Sequence, residues 1–163
     1  LDLTLRPARD AGTFDGDLLV RDLRVRDAPA IAALLDSISV VGLLRQLDGQ
    51  GLAFDEVDAS FRLTPSQVIL TQSSAVGPGL GISLDGIYTL ASKQIDFQGV
   101  VSPFYLLNGI GAFLTRKGEG LIGFNFNLTG AAAAPVVSVN PLSSFTPGMF
   151  REIFRRAPSE VTQ

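Results

Sequence analysis

Apolar and polar residues alternate along much of this chain, a pattern typical of β-strands with one buried face. The clearest stretch spans residues 122–129, where every second position is apolar. These apolar residues are Ile122, Phe124, Phe126 and Leu128. Small or polar residues fill the positions between them. The stretch therefore predicts a strand with one side against apolar material and the other side in water.

The same alternation predicts about eight strands joined as hairpins. They cover residues 1–6, 14–27, 51–64, 67–77, 79–90, 93–101, 122–129 and 136–139. The apolar phase changes within residues 14–27, and again between Phe54 and Val57. A β-bulge would account for either change, and burial on both sides near the middle of residues 14–27 would also account for the first.

Helical spacing interrupts the strands after residue 27. Asp27 is a suitable N-cap and Pro29 fits the first turn. The apolar stripe of this helix comprises Ile31, Leu34, Leu35 and Ile38. Ser39 is placed to cap a second short helix over residues 40–47. The pair is predicted to be either a lid or plug at the end of the sheet, or a plain cap over its core.

The chain ends in a further helical pattern, with Thr146 as N-cap and Pro147 at the first helical position. Its apolar side comprises Met149, Phe150, Ile153 and Phe154, and its basic side Arg151, Arg155 and Arg156. Two interpretations of the arginines remain open, a solvated face or a contact with anionic lipid head groups or a partner.

These elements predict a single α+β domain over residues 1–163. It is mainly β, a curved antiparallel sheet with short helical inserts and a C-terminal amphipathic helix. Antiparallel strands with one apolar face need a covering layer. Short helices cover only part of such a sheet, so either the sheet curls on itself or another layer covers the rest.

Composition argues against an enzyme. The chain has neither histidine nor cysteine, which excludes a Ser-His-Asp triad and thiol chemistry and argues against a zinc or copper site. Paired carboxylates such as Asp15 and Asp17 lie beside turns or on polar strand faces, where such residues are usually solvated. A net charge of −3 argues against nucleic acid as a partner. No catalytic residue, metal or cofactor is expected.

Hydrophobicity points in two directions. The mean hydropathy is +0.32, and eleven phenylalanines occur beside two tyrosines and no tryptophan. Either a well-buried core or an exposed apolar surface that receives lipid would explain these values. No apolar run reaches the ~20 residues of a spanning helix. Residues 1–7 have no signal-peptide character and resemble mid-strand sequence, so we expect a longer protein with any anchor upstream.

A family resemblance emerges at the C-terminal end. The order GFNFNLTG, then PVVSVNPLS, then PGMFREIF resembles the end of AsmA-like envelope proteins, in particular the large YhdP-type members. The resemblance extends over most of the chain, including the helical insert and the GPGLGISLDG segment. It implies a β-groove protein of the periplasm, attached to the inner membrane through an upstream segment and associated with phospholipid transport to the outer membrane.

Under this resemblance, phospholipid acyl chains would lie along the apolar strand faces. The residues expected to line such a groove are Ile82, Leu84, Ile95, Phe97, Ile122, Phe124, Phe126 and Leu128. The alternative is that these residues are ordinary core. A second functional hypothesis is a structural cap, or a domain that binds an envelope protein through an edge strand or the terminal helix, without lipid contact.

Overall fold

The computed structural model describes residues 1–38, 49–103 and 123–140. Within these ranges the chain is mainly β, with eight antiparallel strands in one curved, unclosed sheet and one short helix. The elements are β1 (Asp2–Pro7), β2 (Phe14–Val25), α1 (Pro29–Ser37), β3 (Leu52–Leu63), β4 (Gln67–Val76), β5 (Leu80–Thr89), β6 (Gln94–Pro103), β7 (Phe124–Ala131) and β8 (Ala134–Asn140). The strands follow chain order across the sheet, which confirms the predicted series of hairpins.

Two predicted helices lie outside the described residues. They are the second short helix over 40–47 and the C-terminal helix with Arg151, Arg155 and Arg156. The α1 helix is where the sequence places it, and Leu34 and Leu35 of its stripe are buried. The predicted cap is wrong by one residue. Asp27 takes a left-handed φ of +50°, so Ala28 becomes the N-cap and supplies no side-chain hydrogen bond.

The curl of the sheet is shown by the contacts of α1. This helix follows β2, near one edge of the sheet, yet it packs against β8 at the opposite edge. Leu34 and Leu35 share one apolar cluster with Phe126 and Leu128 of β7. Among the described residues the sheet is therefore curved, and α1 lies in its hollow.

Strand register divides the sheet into two chemically different faces. The face that packs against α1, called the inner face below, is apolar. One of its transverse rows runs Leu5, Gly16, Phe61, Leu70, Gly86, Phe97, Leu128 and Val137. The opposite, outer face is mostly polar. Its neighbouring row runs Arg6, Asp15, Arg62, Ile69, Ile87, Asp96, Thr129 and Val136.

Three glycines on the inner face each lie opposite a phenylalanine of the next strand. The pairs are Gly16–Phe61, Gly86–Phe97 and Gly99–Phe126. A Cβ atom on any of these glycines would overlap the partner ring. At Gly86 the backbone φ of +144° also excludes most side chains. The gap that the sequence leaves at Gly86 is thus filled from the neighbouring strand, and the sheet can bend toward its inner face.

The structure has both phase changes in the apolar pattern, but the predicted bulges in β2 and β3 are wrong. Both occur at one place, where Asp22 takes a φ of +56° between the pairs Arg21–Glu56 and Leu23–Phe54. Neither β2 nor β3 gains a residue against the other there. The bulge lies in β4 instead. At Thr71 the register of β4 shifts against both of its neighbours, β3 and β5. The Thr71 hydroxyl donates to the Ser60 carbonyl at 2.9 Å, which satisfies an acceptor beside the bulge.

We expect Gly99→Ala to lower the free energy of unfolding by ~1–3 kcal/mol, the range for overpacking a well-filled site. The new methyl group would overlap the Ser83 carbonyl and approach the Phe126 ring to 2.8 Å. Gly16→Ala should cost less, because the three atoms nearest to its Cβ would be side-chain atoms of Phe61 and Leu5, which can move. Urea unfolding followed by circular dichroism measures both.

Suppressor substitutions separate these two causes. Phe61→Leu should recover part of the Gly16→Ala loss, since it removes the overlapping ring atoms. Phe126→Leu should recover little of the Gly99→Ala loss, because the Ser83 carbonyl is fixed in the strand. Equal suppression at both sites would contradict this account of the curvature.

Candidate functional site

The candidate site is the inner face, which has a covered part and an open part. The covered part lies under α1 and includes the residues predicted to line a groove. Of these, Ile95, Phe126 and Leu128 are buried, and Ile82, Leu84, Phe97 and Phe124 are half-buried and pack against the same cluster. Ile122 lies outside the described residues. The structure thus brings the seven described residues together on one face, where they contribute to the core.

The open part lies on β1 to β4, outside the core cluster. We call it the open apolar patch; it comprises Leu3, Leu5, Phe14, Leu18, Phe61, Leu63, Val68 and Leu70. Leu3 is 53 % exposed, Leu5 47 % and Phe14 36 %. The register makes the patch continuous across all four strands. At ~4.8 Å between strands and ~3.4 Å per residue, it measures roughly 14 Å in each direction.

Sequence reasoning found the alternation of Leu1, Leu3 and Leu5 but did not assign these residues to a site. The predicted groove residues were all taken from strands near the C-terminal motif, so β1 at the start of the chain was not considered. The structure shows instead that exposure is greatest at the β1 edge, where all six residues of the strand are exposed. The helix covers the β8 side and leaves the β1 side open.

Behind the patch, the outer face of the same strands carries paired charges. Arg62 binds both carboxylate oxygens of Asp15, at 2.8 and 3.3 Å, and Arg6 pairs with Asp17 at 3.2 Å. Ser60 also donates to Asp17 at 2.9 Å. These groups line an open surface hollow of ≈ 380 Å³. Because the charges neutralise one another, the hollow has no unbalanced charge to attract an ion.

The Asp15–Arg62 pair shifts the titration of both groups. The hydrogen bond from Arg62 lowers the pKa of Asp15, with a smaller opposing effect of burial, and the same bond raises the pKa of Arg62. A carboxylate held ionised by a bidentate guanidinium is a poor general base. The pair therefore anchors β2 to β3 and offers no proton-transfer chemistry.

Part of the outer face is also buried, at the far end of β4 to β7. A registered row there contains Ser74, Ser83, Val100 and Asn125, all buried. Ser74 donates to Asp58 at 2.7 Å and Gln98 donates to Asp85 at 2.9 Å. Two adjacent valines, Val100 and Val101, indicate burial on both faces of β6 in the sequence, since neighbouring residues in a strand point to opposite faces. Both are fully buried, so β6 is covered on both sides here.

Among residues 1–38, 49–103 and 123–140, no group of three His, Cys, Asp or Glu side chains is arranged to hold a metal ion. Over the same ranges, no helix has the length and hydrophobicity needed to cross a membrane. The open apolar patch is the feature of the described surface that points to binding.

Comparison with known proteins finds no matching family model, no matching curated protein and no matching solved structure.

Asp15→Asn tests the charged pair. Because the pKa of Asp15 is lowered in the folded state, the ionised pair stabilises the protein above the unfolded pKa of ~3.9. That stability is lost as the pH falls through the folded-state pKa. The melting temperature of the variant should therefore lie below that of the parent at pH 7, and the difference should disappear in acid.

Asp55→Asn is the matched control, since Asp55 is exposed and makes no ion pair in the described structure. Its effect on the melting temperature should be small at every pH. A deficit of Asp15→Asn that persists undiminished below the folded-state pKa would show that packing, not charge, explains its role.

Proposed function

We propose that this domain handles lipid without catalysis, with acyl chains lying on the open apolar patch of the inner face. The observation that carries this proposal is the registered, continuous and partly exposed apolar surface of β1 to β4 on a curved, unclosed sheet. Burying such surface against an acyl chain is favourable by roughly 25 cal/mol per Å². The paired charges of β1 to β3 lie on the outer face, so they do not interrupt the open apolar patch.

Lipid binding of this kind requires only apolar contact and solvent access. Acyl chains gain by leaving water, and their head groups remain solvated at the rim of the patch. No step needs a titrating residue, a metal or a cofactor, which suits a chain without histidine or cysteine.

The sequence resemblance supports a specific setting. In this proposal the domain is the C-terminal part of an AsmA-like protein of the bacterial envelope. It would act in the periplasm on phospholipids that move between the inner and outer membranes, attached to the inner membrane through an upstream segment. The open side of the sheet would be its groove, and α1 would form the covered end.

A second candidate is a structural or protein-binding cap without lipid contact. It is favoured by the burial of Ile95, Phe126 and Leu128, which belong to the core under α1. In this reading the β8 side seals the end of a larger structure. The two candidates differ in whether the β1 side takes up lipid.

Uptake of a fluorescent fatty-acid probe by delipidated protein tests the first candidate. Phe14→Gln should weaken probe binding about fivefold, because losing about 1 kcal/mol of apolar contact corresponds to that factor. Val136→Gln is the matched control, because Val136 is 65 % exposed but lies on the outer face. It should leave probe binding unchanged.

Mass spectrometry of the purified protein provides an independent readout, and co-purified phospholipid is expected. Absence of both probe uptake and bound lipid would remove the lipid proposal for this domain and leave the cap. Equal loss of binding in Phe14→Gln and Val136→Gln would place the site elsewhere.

A further inference from the structure

A second surface hollow lies at the end of the sheet where a turn connects β1 to β2. We call it the turn hollow; its volume is ≈ 510 Å³, and it is lined by Pro7, Ala8, Arg9, Asp10, Asp15 and Arg62. The lining is mostly polar, and the space is far larger than a single water or ion requires. These residues belong to the turn and to the paired strands β1 to β3, so the hollow needs no free strand edge.

The turn that forms the hollow is held by backbone hydrogen bonds. Ala8 N–H donates to the Thr13 carbonyl at 2.9 Å, and Thr13 N–H donates to the Asp10 carbonyl at 3.1 Å. Gly12 takes a φ of +73°, which favours glycine, and a Cβ there would lie 3.3 Å from the Pro65 ring of the β3–β4 turn. The charged side chains of the turn therefore extend from a fixed backbone.

Two opposite charges of the turn hollow form no ion pair within the described structure. They belong to Arg9 and Asp10, both of which are exposed. Arg62 donates two hydrogen bonds to Asp15, so these two charges largely compensate each other. The pKa of Arg62 is raised mainly by Asp15 and to a smaller extent by Asp10, so the Asp10 carboxylate lies near that guanidinium. The turn hollow thus presents a cation and an anion side by side.

The turn hollow adjoins one end of the open apolar patch. Pro7 lines the hollow and lies directly opposite Phe14 of the patch. Arg62 also lines it, and the next residue, Leu63, belongs to the patch and pairs with Phe14. Residues paired in this way have Cα atoms ~4.5–5.5 Å apart. A molecule whose apolar chain lies on Phe14 and Leu63 would therefore have its polar end beside the hollow.

We infer that the turn hollow binds a zwitterionic phospholipid head group, with Arg9 at the phosphate and Asp10 at the ammonium. A guanidinium donates hydrogen bonds to phosphate oxygens, and a carboxylate accepts them from an ammonium. A head group with a phosphate and no ammonium gains only the first contact and meets the negative charge of Asp10. This inference rests on the proposed function, because it names the class of phospholipid that the open apolar patch would take up.

Displacement of the fluorescent fatty-acid probe by short-chain lipids with identical acyl chains tests the head-group preference. Phosphatidylethanolamine should bind about threefold more tightly than phosphatidylglycerol, the size expected for one solvent-exposed ion pair. Diacylglycerol, which has no charged head group, measures the open apolar patch alone. Equal binding of the two phospholipids, or a preference for phosphatidylglycerol, overturns the head-group site while diacylglycerol binding still supports the patch. Displacement by none of the three lipids overturns the proposed function as well.

Asp10→Asn should remove the preference, because the ammonium then has no carboxylate to meet. The backbone carbonyl of Asp10, not its carboxylate, accepts the turn hydrogen bond, so the turn should remain folded. Asp55→Asn is the matched control, since Asp55 is exposed and lies outside the hollow. It should retain the preference. An Asp10→Asn variant that still prefers phosphatidylethanolamine contradicts the role of this carboxylate.

Arg9→Gln should weaken both phospholipids about threefold and keep the preference, because both carry the phosphate that Arg9 would contact. Diacylglycerol binding should not change in this variant or in Asp10→Asn. Each dissociation constant is calculated with the probe affinity of the same variant. Weakening of one phospholipid alone, or an equal loss for diacylglycerol, contradicts a phosphate contact at Arg9.

Soluble phosphoethanolamine distinguishes a lipid head group from a free phosphate ester. It should bind roughly 100-fold more weakly than the short-chain lipid in calorimetry, because burial of the acyl chains supplies most of the affinity. Phosphoethanolamine that binds as tightly as the lipid would assign the turn hollow to a soluble ligand and overturn the inference.

Discussion

The shape of this protein depends on the packing of phenylalanine rings against glycines of neighbouring strands. Gly16, Gly86 and Gly99 have no side chain on the inner face, and the rings of Phe61, Phe97 and Phe126 occupy the space. The inner face is therefore narrower than the outer face, and the sheet bends toward it. Bending brings β8 within reach of α1, although that helix leaves the chain after β2. The core and the open surface are both consequences of this curvature.

Curvature alone does not explain why the two sides of the sheet differ. The helix is only nine residues long, and it covers the β8 side, where Leu34 and Leu35 complete the core. On the β1 side, the inner face carries Leu3 and Leu5 in solvent. Exposing apolar surface to water costs free energy, so covering this surface with an apolar ligand would be favourable.

The ion pairs on the outer face hold these exposed strands in place. Arg62 donates two hydrogen bonds to Asp15. Asp17 accepts a hydrogen bond from Ser60 and forms an ion pair with Arg6. A slip of one residue between β2 and β3 would carry these charges onto the apolar face and leave the leucines in water. Each exposed pair contributes little by itself. Together they specify register where burial is too weak to do so.

The alternation of the sequence determined the eight strands, their order as hairpins and the apolar face of β5, β6 and β7. Pro29 and the stripe through Leu34 and Leu35 likewise determined the only helix of the described residues. Local spacing carries this information because side-chain direction in a strand or helix repeats at a fixed period. The cap at Ala28 and the bulge at Thr71 were not predictable, and neither was the single position, Asp22, where both phase changes occur, since each is set by the backbone of a neighbouring strand or turn.

Which apolar residues are core and which are surface was decided only by the tertiary structure. Leu5 and Leu128 follow the same alternating pattern and lie in the same row of the sheet. Leu128 is 7 % exposed because the curled sheet brings α1 over it, whereas Leu5 is 47 % exposed because α1, the helix of the described residues, does not extend to the opposite edge. The period of the sequence shows which face of a strand is apolar. Whether that face is covered or exposed depends on the curvature of the whole sheet.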